Sequence, residues 1–110
     1  MERALIIDDD AVRVPALTRY VHSMLPDAEV THSTTFVSDW DGFSMVMLDH
    51  DLGAGGDVYD HVKVTFPEGY SGEAVIVIHS MNPVGARNIY HQLGNRGVLL
   101  PYSRILTLLT

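Results

Sequence analysis

Three short strings in this chain combine residue types that can move protons, hold cations or grip phosphate. They are Asp8-Asp9-Asp10, Asp49-His50-Asp51 and His79-Ser80. Carboxylates gathered within a few ångströms repel one another, so a cluster of them is either partly protonated or built around a cation. An all-oxygen donor set suits Mg²⁺ or Mn²⁺. Histidine titrates near neutrality and can give or take a proton at a reacting centre. Asp8, Asp9 and Asp49 are therefore the candidate metal ligands, and His50, His79 and Asp49 the candidate catalytic residues. Asp51 either joins the cluster or caps the loop before Gly53. Asn82 either contacts a ligand or caps the helix that follows it. Gly85 allows close approach of a phosphate or close packing of a helix. Ser80, and Arg13 and Arg87 as guanidinium forks, complete the candidate binding set. Surface exposure is the competing explanation for both arginines. His22, His32, His61 and His91 receive no role, and Trp40 and Tyr102 either stack on a base or pack an edge.

Each string follows an apolar run. Ala4–Ile7 and Ala74–Ile78 are continuously hydrophobic, and Phe43–Leu48 is so apart from Ser44, the pattern of strands buried on both faces. Glu29–His32 is a weaker strand and Gly97–Leu100 a fifth. Pro15 opens a helix that carries Leu17, Tyr20 or Val21, and Met24 inward before Pro26 stops it. Residues 33–41 are poorly patterned and support at most a short helix with Phe36 and Val37. Asp57 caps a helix burying Val58, Val62 and Phe66, and Asn82-Pro83 starts one that runs to Leu93 before Gly94. Ser103 caps a last apolar turn, Ile105–Leu109.

Strands alternating with helices imply a parallel sheet with right-handed crossovers. The expected architecture is one domain over residues 1–110, a doubly wound five-stranded parallel sheet. In such folds ligands bind outside the carboxyl ends of the strands. All three chemically loaded strings stand at such ends.

The same residues resemble two-component receiver domains, which implies a flavodoxin-like sheet in strand order 2-1-3-4-5. Asp8 and Asp9 match the acidic pair after the first strand that binds a divalent cation, and Asp49 matches the phosphoacceptor. His79, or Ser80 one residue on, falls at the receiver threonine or serine. Pro101-Tyr102 matches the segment that follows the receiver lysine, whose position is Leu100 here. Leucine cannot pair with a phosphoryl group, so a pure phosphorylation switch is not expected. A closer resemblance is to the cyclic-phosphate processing receiver family, in Leu48-Asp49-His50-Asp51-Leu52-Gly53 and His79-Ser80-Met81-Asn82-Pro83-Val84-Gly85. Arg13 follows the acidic run at a wider spacing than the family's arginine. The resemblance implies binding or hydrolysis of a cyclic phosphate.

The bulk properties narrow the partners. A formal net charge of -7 disfavours long nucleic acid and anionic membrane, while a small phosphorylated ligand remains compatible with a local cation. There are no cysteines, which excludes disulfides and thiolate metal sites. No apolar run spans a bilayer and the start lacks a secretory pattern, so a cytoplasmic location is expected. Three functions stay open: a metal-dependent phosphodiesterase acting on a cyclic-phosphate nucleotide or oligonucleotide, a non-catalytic sensor or sponge for such a ligand, and a degenerate receiver for protein interaction. The apolar tail Ile105–Leu109 is a possible homodimer contact.

Overall fold

In the computed structural model, which describes residues 1–110, five strands form one parallel sheet. The strands are β1 (Arg3–Ile7), β2 (Glu29–Ser33), β3 (Met45–Leu48), β4 (Val75–Ile78) and β5 (Val98–Leu99). Their order is β2-β1-β3-β4-β5, as expected. The helices are α1 (Val14–Met24), α2 (Val58–Thr65), α3 (Pro83–Gln92) and α4 (Tyr102–Leu108). None is long and apolar enough to cross a membrane.

Alternation along the strands sorts the core into two layers. Leu5, Ile7, Val46, Leu48, Ile76 and Ile78 pack with Val58 and Val62 of α2 and Ala86 and Ile89 of α3. Ala4, Ile6, Met45, Met47 and Val77 pack with Leu17 and Val21 of α1 and Ile105 of α4. Continuous apolar runs are thus explained by helices on both faces. Asp57 caps α2 by accepting from the Tyr59 N–H, and Asn82 caps α3 by accepting from the Gly85 N–H.

Two local expectations are corrected. Met24 is 57% exposed, because Leu17 and Val21 already fill the inward stripe of α1. Ser103 does not cap α4: the helix begins one residue earlier, behind Pro101, which cannot offer a side-chain acceptor. Residues 34–44 contain no helix. That crossover is pinned by aromatic packing instead, with Trp40 buried 4.7 Å from the Phe66 ring and 5.3 Å from the Tyr70 ring. The Trp40 indole N–H donates to the Val37 carbonyl at 2.6 Å. Trp40→Ala is expected to cost about 3–5 kcal/mol in urea unfolding, the usual range for deleting a buried large aromatic. A loss under about 1 kcal/mol would show that the crossover is held some other way.

Candidate functional site at the carboxyl edge of the sheet

Register builds the site. Ile7, Leu48 and Ile78 are paired across β1, β3 and β4, so the next residues, Asp8, Asp49 and His79, stand side by side. The ladder carries on past the strands: the Asp49 N–H donates to the Ile7 carbonyl at 3.0 Å and the His79 N–H to the Leu48 carbonyl at 2.9 Å. By alternation these three side chains fall on the α1/α4 face, and His50 and Ser80 on the α2/α3 face. The two candidate histidines are therefore separated by the sheet edge, although their strands are neighbours.

Arg13, at the start of α1, organises the acidic cluster. Its Nε and Nη2 donate to the two oxygens of Asp8, both at 3.0 Å, and Nη2 also donates to Asp49 Oδ2 at 3.1 Å. Asp9 lies 3.8 Å from the same Nη2. The sequence left Arg13 between phosphate fork and surface side chain; the fold makes it the cation among the carboxylates. His79, 1% exposed, places Nε2 2.9 Å from Asp8 Oδ2 and leaves Nδ1 buried without a partner. His32 also serves this corner, with Nε2 2.8 Å from the Asp8 carbonyl. Nothing in the local sequence signals that contact, because it depends on the β1–β2 register.

The two buried carboxyls respond in opposite directions. Burial raises the pKa of Asp8, but hydrogen bonds from His79, Arg13 and the Asp10 N–H outweigh it and hold the value at about 2. Burial pushes the Asp49 carboxyl up; the His50 N–H and the charges of His79 and Arg13 oppose this, while the Asp8 charge adds to it. Asp8 thus contributes stability that is present above its unfolded pKa, near 3.8, and is lost as pH falls toward 2. For Asp49 the sign reverses: its contribution is full below the unfolded pKa and lost as pH rises through the folded one. Asp49→Asn is accordingly expected to stabilise the protein at pH 7 and to leave its stability at pH 3 nearly unchanged. Denaturant titrations at the two pH values check this. Destabilisation at pH 7 would show that the Arg13 contact outweighs the burial of Asp49.

A cavity of about 460 Å³ opens outside this edge. Asp9, Arg13 and Asp49 border one side, and His50, Ser80 and Asn82 the other, with Asp51 and Gly53 at the rim. His50 lies with Nε2 3.3 Å from Asp57 Oδ1, so the carboxylate that caps α2 also touches the imidazole. The sequence revealed Asp57 only as a cap. A Cβ on Gly85 would overlap the His50 ring, which settles that glycine's role: it makes room for the imidazole beside the start of α3. Asp51 is exposed and accepts from the Gly53 N–H at 2.8 Å, the loop-capping alternative. Asn82 is the α3 cap and still borders the cavity. Arg87 does not border this cavity; it lies in a neighbouring one. His79 does not line this cavity; it stands behind Asp8, with Nε2 2.9 Å from the carboxylate. A larger cavity, about 520 Å³, lies at the opposite edge, lined by Trp40, Phe43, Tyr70 and neighbours, with no histidine or cation.

Asp8, Asp49 and His79 bring one ligand atom each within 4.8 Å of the others, a group that could hold a metal ion. The acceptor count qualifies which atoms are available. Each Asp8 oxygen already takes two hydrogen bonds: Oδ1 from Arg13 and the Asp10 N–H, Oδ2 from Arg13 and His79. Asp49 takes one on each oxygen and keeps capacity on both. Asp9 is partly exposed beside it. Free acceptor capacity therefore lies on Asp49, whereas an ion held by Asp8 must displace one of its donors, Arg13, His79 or the Asp10 N–H.

Two solved structures share this fold. A response regulator receiver domain from Rhodospirillum rubrum superimposes with a TM-score of 0.67 at 16% identity, over 96% of this chain and 89% of that one. A two-component response regulator from Legionella pneumophila gives 0.60 at 14% identity, over 99% and 95%. The architecture is that of a receiver. More narrowly, the chain belongs to the cyclic-phosphate processing receiver domain family, whose model matches residues 3–95. A search of curated protein sequences finds no significant match.

Proposed function

We propose that this chain hydrolyses a cyclic phosphate ester carried by a nucleotide or oligonucleotide. One observation carries the reading: Arg13, Asp49, His50 and the N-terminal end of α3 all border the same open cavity. In the reaction water adds to phosphorus, the bond from phosphorus to one ring oxygen breaks, and that oxygen leaves with a proton, giving a phosphomonoester. His50 is the group at the cavity suited to carry the proton, with Asp57 holding its ring. His79 acts through Asp8, which in turn fixes Arg13. Asn82, the N-cap of α3, brings the positive end of that helix's dipole to the cavity.

Charge balance supports a metal ion. Asp9, Asp49 and Asp51 border the cavity against the single cation Arg13, so an incoming phosphate meets net negative charge. Mg²⁺ or Mn²⁺ at Asp49 and Asp9, with Asp8 reached if one of its hydrogen-bond donors gives way, would reverse that sign and polarise a phosphate oxygen. The proposed ligand is small. The acidic surface opposes long nucleic acid.

A second reading, a sensor that binds without turnover, is favoured by the burial of His79, which leaves one histidine at the cavity. Incubating the protein with a panel of cyclic nucleotides, with Mg²⁺ or Mn²⁺ and with chelator, separates the two. New phosphomonoester is expected with metal. Ligand that binds tightly but is recovered unchanged would make the protein a sensor.

A further inference from the structure

Beside the phosphate cavity lies a second one of about 350 Å³, between the β4–α3 turn, β5 and the start of α4. Ser80 and Met81 line both, so the two meet at one short segment of chain. Their characters differ. The first is mainly polar, with Met81 the one hydrophobic residue in its wall. The second has Ile78, Ala86, Leu99 and Pro101 among its walls, with Arg87 and Ser103 as polar groups. A mainly apolar slot of this size with a few convergent polar groups is the usual form of a site for a small organic ligand.

The geometry points to this slot as the site for the base of the ligand: a planar heteroaromatic ring, joined through its sugar to a phosphate held in the polar cavity. This deepens the proposed function and rests on it, since the phosphate cavity supplies the anchor. The slot offers apolar surface to the ring faces and hydrogen-bonding groups to its edges. Arg87 is exposed and able to swing over a ring, an interaction available to every base. The shared Ser80–Met81 segment gives the two ends of one molecule adjoining seats. A partner of this shape also accounts for two exposed apolar side chains there, Met81 and Leu99.

The test compares two probes on the whole chain: cyclic nucleoside monophosphates of both ring sizes, and ethylene phosphate, a cyclic phosphodiester with no sugar or base. Binding is read by calorimetry or competition. The wild type is expected to favour at least one nucleotide over ethylene phosphate by roughly fivefold or more, the lower end of what stacking one base contributes. Ala86→Leu, which fills the slot, should erase most of that preference while ethylene phosphate binds as before. Arg87→Ala, a change of an exposed side chain, should lower it in the same direction and serves if the first variant fails to fold. Equal affinity for both probes in the wild type would overturn the assignment, and so would a preference that survives both substitutions. Loss of a concentration-dependent dimer in these variants, with ligand preference intact, would assign the slot to a second copy of the chain instead. Failure of the wild type to bind either probe would remove the phosphate site and the base site together, an outcome distinct from equal binding of both.

Discussion

Replacing His50 with alanine is expected to lower cyclic-phosphate turnover by roughly 10²–10⁴-fold, the usual contribution of a positioned acid or base. Affinity should change far less, because Arg13, Asp49 and the start of α3 remain in place. The imidazole borders the cavity, its ring is seated over Gly85, and Asp57 holds Nε2. His79 gives the contrast. Its ring is buried behind Asp8, so His79→Ala should first lower stability, by removing a donor from a buried carboxylate. At temperatures where both variants are folded, His50→Ala should be the slower enzyme. Equal turnover in His50→Ala and wild type would remove the proton-transfer role. A larger loss of turnover in His79→Ala, at matched folded fraction, would place the essential proton on the other side of the sheet edge.

The second large effect concerns Arg13. Arg13→Ala strips two hydrogen bonds from fully buried Asp8 and one from Asp49. Breaking a buried pair by removing one partner typically costs about 3–5 kcal/mol, because the remaining charge is left uncompensated. The same substitution vacates the cation position. Mg²⁺ or Mn²⁺ should then stabilise the variant by mass action more than it stabilises the wild type, since Asp8 regains free acceptor positions. Urea titrations of both proteins, with and without millimolar metal, read the two effects together. A small loss of stability with no added metal response would show that the carboxylates tolerate each other without a cation, and would separate Arg13 from the metal question. An equal metal response in both proteins would place the ion at Asp9 and Asp49, clear of Asp8.

Much of this was legible in the sequence because it follows from local rules. Strand runs buried on both faces, Asn82 and Asp57 as caps, and Pro15 in the first turn of α1 each depend on a few neighbouring residues. Together they led to a doubly wound parallel sheet and to the carboxyl edge as the place for chemistry, and the receiver resemblance added the strand order. The two long strings around Asp49 and His79 pointed to the family. The competing readings of Asp51, Asn82 and Gly85 could be written down from residue type, but not decided.

Local contacts in the folded chain spoke to those three, whereas the rest of the site was set by register and alternation, which only the assembled sheet supplies. Pairing Ile7 with Leu48 and Leu48 with Ile78 set Asp8, Asp49 and His79 in one row. The twofold alternation of strands then turned His50 and Ser80 toward the other face, so two histidines that look equivalent in sequence took different places. Arg13 was ambiguous as a string because its partners are five and thirty-six residues away. A guanidinium with two buried carboxylates in reach gains more from their fields than from solvent, and only the packing of α1 on the sheet beside β1 brings them within reach. The apolar slot beside Ser80 could not be seen at all from the sequence, because its walls come from β4, α3, β5 and the turn into α4. Residue type told which chemistry was available; the spatial joining of distant segments decided which atoms are free to carry it out.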